Sequence, residues 1–385
     1  MTTKLMAQAI LLGAATLGLP ALVSQAVRRS RRKERVLILG GGRLARALAE
    51  AVGERPRSGC ELVGVVGDAA ELSDPLPGCP YLGPLSGFAE VVRRTRPDHV
   101  VVTLAERRSQ LPVPDLFGSR LGGIVVEEGV QAYERIAGKV SLEHLGAAPW
   151  IFGDDLRGSA LDRMLTRGMS LAVAALGLVL AAPLLAVLAL AITLDSRGPV
   201  EFVQRRVGRH GRPFDLLKLR TMRVARGPVS EWAGANHDRI TRLGRWLRKF
   251  RLDELPQFIN VLRGDMDVVG PRPHPETNRN LLDIVLRNTP EWGGEVPYYS
   301  LRCLVRPGIT GWAQVRYGYA DNLEEEIEKV RYDLYYVKRR SFWLDLRILG
   351  ETVAIVLRGR DAGRTIVRPV PASLRSAVVD HPRAA

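Results

Sequence analysis

Arg245–Pro273 reads RWLRKFRLDELPQFINVLRGDMDVVGPRP, with two adjacent acids, Asp253 and Glu254, set among Arg245, Arg248, Lys249, Arg251, Arg263 and Arg272. Leu255, Phe258, Ile259 and Leu262 recur at helical spacing and Gly264 follows as a stop. The pattern predicts a helix with Asp253 as its N-cap and Pro256 in its first turn, where the missing N–H breaks no intrahelical bond. A helix start offers free N–H groups that attract phosphate as readily as a capping carboxylate, and the arginines strengthen that field. The same residues also fit a plain capping role, with Glu254 paired to a neighbouring arginine. A carboxylate pair amid so many cations points to chemistry on an anion.

The chain around this stretch has 385 residues and a formal net charge of +15, so two domains are expected. Such a basic excess fits nucleic acid, an anionic membrane surface or phosphorylated substrates. Cys60, Cys79 and Cys303 are far apart and form no CxxC pair, so neither a disulfide framework nor a zinc site is indicated, and a reducing compartment fits. The six histidines include no HExxH pair, so a metal, if used, is a hard ion held by carboxylates and phosphate oxygens.

Upstream, Leu5 to Val27 carries no charge and is long enough to cross about 30 Å of hydrocarbon. Arg28, Arg29, Arg31, Arg32 and Lys33 follow, so residues 1–34 are expected to form a membrane helix and its basic cytoplasmic flank; a cleaved signal peptide ending near Ser24–Ala26 is the other reading. Residues 35–150 read as a Rossmann-like parallel α/β domain. An apolar strand runs into Gly40, Gly42 and Ala45 in G-x-G-x-x-A spacing, further strands are expected at 62–66, 99–104 and 124–126, and Phe88 to Arg94 is helix-like. Asp68 ends the second strand, where a ribose-binding acid would stand. Those glycines equally serve tight strand-to-helix packing with no ligand. If they do hold a nicotinamide dinucleotide, the chain is instead a membrane-anchored NAD-dependent oxidoreductase.

Residues 151–195 read as a linker and a second uncharged run, Gly168 to Leu194, with Pro183 near its middle. A straight span would carry the basic second half to the outer face, against the positive-inside bias, whereas a proline-bent re-entrant helix keeps both ends in the cytoplasm. A straight span that tolerates the proline and a buried core helix are the alternatives. Residues 196–363 then read as a compact α/β catalytic domain and 364–385 as a loose tail. Strands are expected at Glu201–Val207 and Pro213–Met222, the second carrying Lys218 and Arg220 on one face as a phosphate clamp or a solvated edge. The turn in VRPGITGWAQV, Val305 to Val315, is expected to bring Arg306 and Trp312 together. Leu323 to Arg340 reads as a helix with Ile327, Val330, Leu334 and Val337 on one face. Phe342 to Leu357, flanked by arginines, suits either a lipid interface or packing on its own domain.

Taken in order, the apolar run, QRRVGRHGRPFDLLKLRTM, RLDELPQFINVLRGDMDVVGPRP and VRPGITGWAQV resemble the bacterial sugar transferases, or monotopic polyprenyl-phosphate phosphoglycosyl transferases, from about Leu161 to Gly359. The upstream domain is similar to that of larger members associated with exopolysaccharide or O-antigen assembly. The resemblance implies transfer of a sugar-1-phosphate from a UDP-sugar to undecaprenyl phosphate with Mg²⁺ and release of UMP, on the cytoplasmic face of the bacterial inner membrane. It implies no nucleic-acid partner and allows a homodimer. By motif position Asp253 would be the nucleophile and metal ligand, and Glu254 its acid/base neighbour. Lys218, Arg220, Arg245 and Arg272 would hold phosphates, and Pro273, Arg306 and Trp312 would shape the nucleotide-sugar pocket. Asp267 stands where relatives usually have serine, adding a negative charge beside the phosphate-binding turn that would alter sugar choice. One N-terminal membrane helix replaces several, and the long stretch His274–Tyr299 is a candidate cap over the substrate. A third reading is a basic scaffold without turnover, against which the two apolar segments argue in its nucleic-acid form.

Overall fold

A computed structural model describes residues 33–55, 59–69, 72, 74–104, 111–144, 150, 159–223, 239–288, 298–317 and 323–358. The expected N-terminal membrane helix, most of the linker before residue 159 and the C-terminal tail lie outside these residues. The chain divides into two compact units between Leu145 and Gly146.

In the first unit, β1 (Glu34–Leu39) leads into α1 (Gly42–Glu54), followed by β2 (Cys60–Val66), β3 (Tyr81–Gly83), α2 (Phe88–Thr95), β4 (His99–Val102), α3 (Val113–Leu121), β5 (Val125–Glu128) and α4 (Gly129–Ala137). The strands form one parallel sheet in the order β3-β2-β1-β4-β5. The sheet is covered on both faces, which is why β1 is apolar from Val36 to Leu39. Val36 and Ile38 pack with Ala45, Leu48 and Ala49 of α1, whereas Leu37 and Leu39 pack with Phe88 and Val91 of α2. The expected strands are present with shifted ends: β2 starts earlier, β4 stops at Val102, and β5 begins one residue later and runs to Glu128. Strand β3 and helices α3 and α4 were not foreseen.

In the second unit, α5 (Ala160–Asp195) is one 36-residue helix, begun by the Ser159 hydroxyl accepting from Leu161 N, with Pro183 inside it. It starts eight residues ahead of the uncharged run because Asp162, Arg163 and Arg167 occupy its first turns. Thr166, Ser170, Ala174, Ala181, Leu188 and Ile192 form its buried stripe. Leu171, Leu176, Val179, Leu180, Leu184, Val187, Leu190 and Leu194 are exposed. At about 1.5–3 kcal/mol for each such side chain left in water, that face calls for an apolar medium. Only 17% of the most apolar window is buried, so the core-helix alternative is set aside.

Next come an antiparallel hairpin, β6 (Glu201–Val207) and β7 (Pro213–Leu219), then α6 (Arg242–Lys249), a 3-10 turn (Leu252–Glu254) and α7 (Gln257–Arg263). The rest of the unit is β8 (Asp267–Val269), α8 (Glu276–Asn288), α9 (Tyr298–Arg302), β9 (Gly308–Thr310, parallel to β8), α10 (Trp312–Arg316), α11 (Leu323–Arg339) and α12 (Phe342–Arg358). Two sequence expectations are corrected here. Strand β7 ends at Leu219, so Arg220 lies just beyond it. Asp253 is not an N-cap, because the helix begins at Gln257 and the two acids occupy the preceding 3-10 turn. Gly264 does end α7, in the left-handed region at φ 96° that favours glycine.

The apolar stripe of α7 faces the protein interior only in part, Phe258 packing against the core around Ala174 and Val261. Gln257, Asn260 and Val261 are buried, while Leu255, Phe258 and Ile259 are half-buried and Leu262 is exposed. The stripe runs beside α5, where a Cβ at Gly177 would lie 2.8 Å from the Phe258 ring. Helix α11 buries Ile327, Val330, Leu334 and Val337 as expected, and also Glu326, Glu328, Lys329, Arg331 and Asp333.

Candidate active site

The turn bearing the two acids is set by Arg251, whose φ of 55° places a non-glycine residue in the left-handed region at a cost of about 1 kcal/mol. That reversal turns both carboxylates inward: Asp253 is 9% and Glu254 7% exposed. Asn260, fully buried on α7, accepts from Leu217 N at 3.0 Å and donates to the Asp215 carbonyl at 2.8 Å. These bonds lock α7 to β7 immediately before Lys218.

The loop carrying Arg272 is seated by glycines. A Cβ at Gly308 would lie 2.1 Å from Gly270 N, and one at Gly311 would lie 2.1 Å from Gly270 O, so the two backbones cross only where side chains are absent. Arg302 donates to the Arg272 carbonyl and is itself held by Asp333 at 2.6 Å. His274 Nε2 lies 3.1 Å from Glu326, and burial with Arg302 nearby pushes the imidazole down to about 4, so it is neutral at pH 7.

Within this frame the acids differ. Arg272 Nη2 donates to Glu254 Oε1 at 2.8 Å and Arg251 lies 3.7 Å from the other oxygen. Burial pushes the Glu254 carboxyl up, but Arg272, Lys218 and Arg251 outweigh it and hold the pKa at about 2. Asp253 has no hydrogen-bond or ion-pair partner among the described residues. Burial, then the neighbouring Glu254 charge, raise its pKa above the usual aspartate value against the opposing pull of Lys218, Arg248 and Arg272. Lys218 is pushed down to about 7, chiefly by burial and then by Arg272. Such an arrangement can keep one carboxylate ionised and fixed, leave its neighbour free to attack, and offer a lysine able to gain or lose a proton near pH 7.

The structure thus brings Asp253, Glu254, Lys218 and Arg272 into one electrostatic cluster. Arg220 is 6% exposed and donates to the Ser196 carbonyl at 2.6 Å at the C-terminal end of α5, while its Nε and Nη1 are buried without a partner among the described residues. Gln257 Nε2 is likewise buried and without a partner among the described residues. Arg245 is exposed on α6, and the Pro273 carbonyl accepts from Arg206 at 2.9 Å. Arg306 and Trp312 go to different networks. Arg306 donates to the Gly264 carbonyl at 3.0 Å, and Trp312 is buried, stacked on Tyr335 at 5.7 Å with the Arg316 guanidinium 4.2 Å from its centroid. The Asp267 charge is taken up by Arg167 at 2.8 Å, Arg340 at 3.6 Å and Arg306 at 3.9 Å. Asn260, Arg302, Asp333 and Arg167 were missed by the sequence reading; Asp333 falls three residues after Val330, on the buried side of α11, and that spacing was the available signal.

In the first unit, a Cβ at Gly40 would lie 2.8 Å from Leu104 N, and Ala45 is fully buried, so both positions serve close packing. Nothing lies within 4 Å of a Cβ at Gly42, and Asp68 is exposed just past β2.

The bacterial sugar transferase family model matches residues 161–359, and a CoA-binding domain model matches residues 5–110. A UDP-N-acetylgalactosamine-undecaprenyl-phosphate N-acetylgalactosaminephosphotransferase of Aeromonas hydrophila is 38% identical over 60% of this chain and 51% of its own. A UDP-glucose:undecaprenyl-phosphate glucose-1-phosphate transferase of Escherichia coli K12 is 40% identical over 55% of this chain and 44% of its own. The enzyme of the same name from Xanthomonas campestris is 31% identical over 86% of this chain and 68% of its own. The chain spans about half the length of the first two.

Proposed function

The chain belongs to the bacterial sugar transferase family, and from that membership we propose that it transfers a sugar-1-phosphate from a UDP-sugar to undecaprenyl phosphate, opening exopolysaccharide or O-antigen assembly. The observation that carries this reading is the division between the two acids: Glu254 clamped by Arg272 and ionised, Asp253 beside it unpaired among the described residues. An Asp253 oxygen attacks the sugar-bearing phosphorus, the bond from that phosphorus to the bridging oxygen breaks, and UMP departs with the bonding pair. A phosphate oxygen of undecaprenyl phosphate then attacks the same phosphorus and releases the Asp253 carboxylate. Glu254 keeps Arg272 in position, and Lys218 hydrogen-bonds the transferred phosphate or gives its proton to departing UMP. The buried open donors of Arg220 and Gln257 support binding of an anion.

Mg²⁺ fits this donor set, because it is held by one or two carboxylates together with phosphate oxygens and water, and Asp253 is the carboxylate that would hold it. When bound it would offset charge on the diphosphate. The exposed apolar face of α5 supports a membrane location. A re-entrant course for α5, keeping the site on the cytoplasmic face, follows from the basic residues on both its flanks.

The test is a single turnover with donor labelled in the sugar-bearing phosphate. The wild-type chain retains hydroxylamine-labile label on Asp253, and Asp253→Asn retains none while remaining folded. Label on another residue, or turnover by purified Asp253→Asn, overturns the assignment.

A further inference from the structure

Helix α5 is tied to the two sides of the site through Arg167 and Asp267, beside a bond from Val268 N to the Ser170 hydroxyl. The polypeptide leaves Asp253 and Glu254, passes along α7, turns at Gly264–Met266 and returns along β8 to Arg272. The Glu254–Arg272 pair closes the open end of this excursion. At the closed end, Arg167 of α5 donates to the Val261 carbonyl at 2.8 Å, to the Met266 carbonyl at 2.9 Å and to Asp267 Oδ1 at 2.8 Å. One guanidinium thereby ties together the end of α7, the turn and the first residue of β8. The other Asp267 oxygen faces Arg340, just past α11, and Arg306, on the loop that crosses Gly270. Asp267 is 1% exposed, so its charge serves these three guanidiniums. Without it, Arg167, Arg306 and Arg340, with Arg209 close enough to affect Arg306, would repel one another.

We infer that Asp267 is a positioning residue, a latch with Arg167 that sets the spacing between the Asp253–Glu254 turn and Arg272, and that it does not contact the sugar. A serine here could not neutralise the three arginines. The inference rests on the transferase reading for its kinetic consequence but not for its geometry, and the two are tested separately.

For the geometry, Glu254→Cys and Arg272→Cys are introduced together into the full chain and bridged with a short bifunctional maleimide, because two thiols lack the reach of the Glu–Arg pair. Adding Asp267→Asn, which keeps shape and removes charge, is expected to slow crosslinking about tenfold, a change of about 1.4 kcal/mol in the barrier; an unchanged rate overturns the latch. For the kinetics, Asp267→Asn and Arg167→Gln are compared with wild type in UMP release. Both are expected to lose about a hundredfold in kcat with KM for the donor little changed. A loss that falls on KM for the donor instead of kcat indicates a role other than positioning, and a changed ranking of donor sugars indicates sugar contact; either overturns the inference. A wild-type chain that releases no UMP counts against the transferase reading alone, since crosslinking still reads the latch.

Discussion

Arg272 donates to Glu254 across 2.8 Å, whereas Asp253, one residue earlier in the same turn, has no such partner among the described residues. Adjacent carboxylates repel, so ionising both needs a cation committed to one of them. Arg272 supplies it, and the committed acid becomes part of the frame. Removing the guanidinium leaves a buried carboxylate short of its main counter-charge. Arg272→Ala is therefore expected to cost about 10²–10³ in kcat, measured as UMP release, with Arg272→Lys recovering only part because a point charge cannot reproduce the guanidinium geometry.

The pH dependence of Glu254→Gln follows from the causes of the Asp253 shift. Burial raises the Asp253 pKa first and the Glu254 charge raises it next. Deleting that charge leaves burial in place, removes the repulsion and lowers the Asp253 pKa. If Asp253 is the nucleophile, as proposed, it must be ionised, so the acid limb of kcat/KM moves to lower pH in Glu254→Gln, even as the maximal rate falls. Movement to higher pH would mean that the limb reports a group other than Asp253.

Lys218 predicts the alkaline side. Burial and Arg272 bring it to about 7, so it loses its proton within the working range. Activity that needs the ammonium declines as pH rises through about 7. Lys218→Arg keeps its charge throughout and is expected to flatten that decline at a reduced maximal rate. A wild-type profile flat from pH 7 to 9 would remove the protonated lysine from the mechanism.

How much of this was visible in the residues can be judged element by element. Gly264 announced its left-handed stop, and the parallel strands announced themselves as apolar runs, because glycine and buried β-branched residues act locally. Strand β3 has three residues, too few to show a period. The start of α7 was misplaced because the preceding reversal uses Arg251, a residue type that carries no turn signal. The apolar stripe of α7 was found but its direction was not, since its neighbour is the equally apolar α5. The pairings of Arg167 with Asp267, Arg302 with Arg272 and Asp333, and Asn260 with Leu217 span 30 to 100 residues, and nothing in local spacing encodes them.

Asn260→Ala tests one of these long-range ties. It removes an acceptor from Leu217 N and a donor to the Asp215 carbonyl in a buried setting. Leaving such groups unsatisfied costs about 1–3 kcal/mol. Thermal unfolding in detergent is expected to shift downward accordingly. Asn260→Asp, which keeps the acceptor but turns a buried carboxylate toward the Asp215 carbonyl and the Asp265 carboxylate, should be no more stable than Asn260→Ala.

The course of α5 through the membrane yields the last expectation. The helix is 36 residues long, about 54 Å at 1.5 Å per residue, and so exceeds a bilayer core of about 30 Å. Length therefore permits a straight crossing, and the case for a re-entrant course rests on charge: Arg163 and Arg167 lie at its start, and Arg197, Arg205 and Arg206 follow its end. A straight span would export the second cluster together with Asp253. Cysteines introduced as Arg163→Cys and Arg197→Cys are expected to react with a membrane-impermeant maleimide only in inside-out vesicles, both from the same side. Labelling of the Arg197→Cys chain from the outside would make α5 a spanning helix and move Asp253 and its basic neighbours to the other face, against the proposed use of a cytoplasmic UDP-sugar.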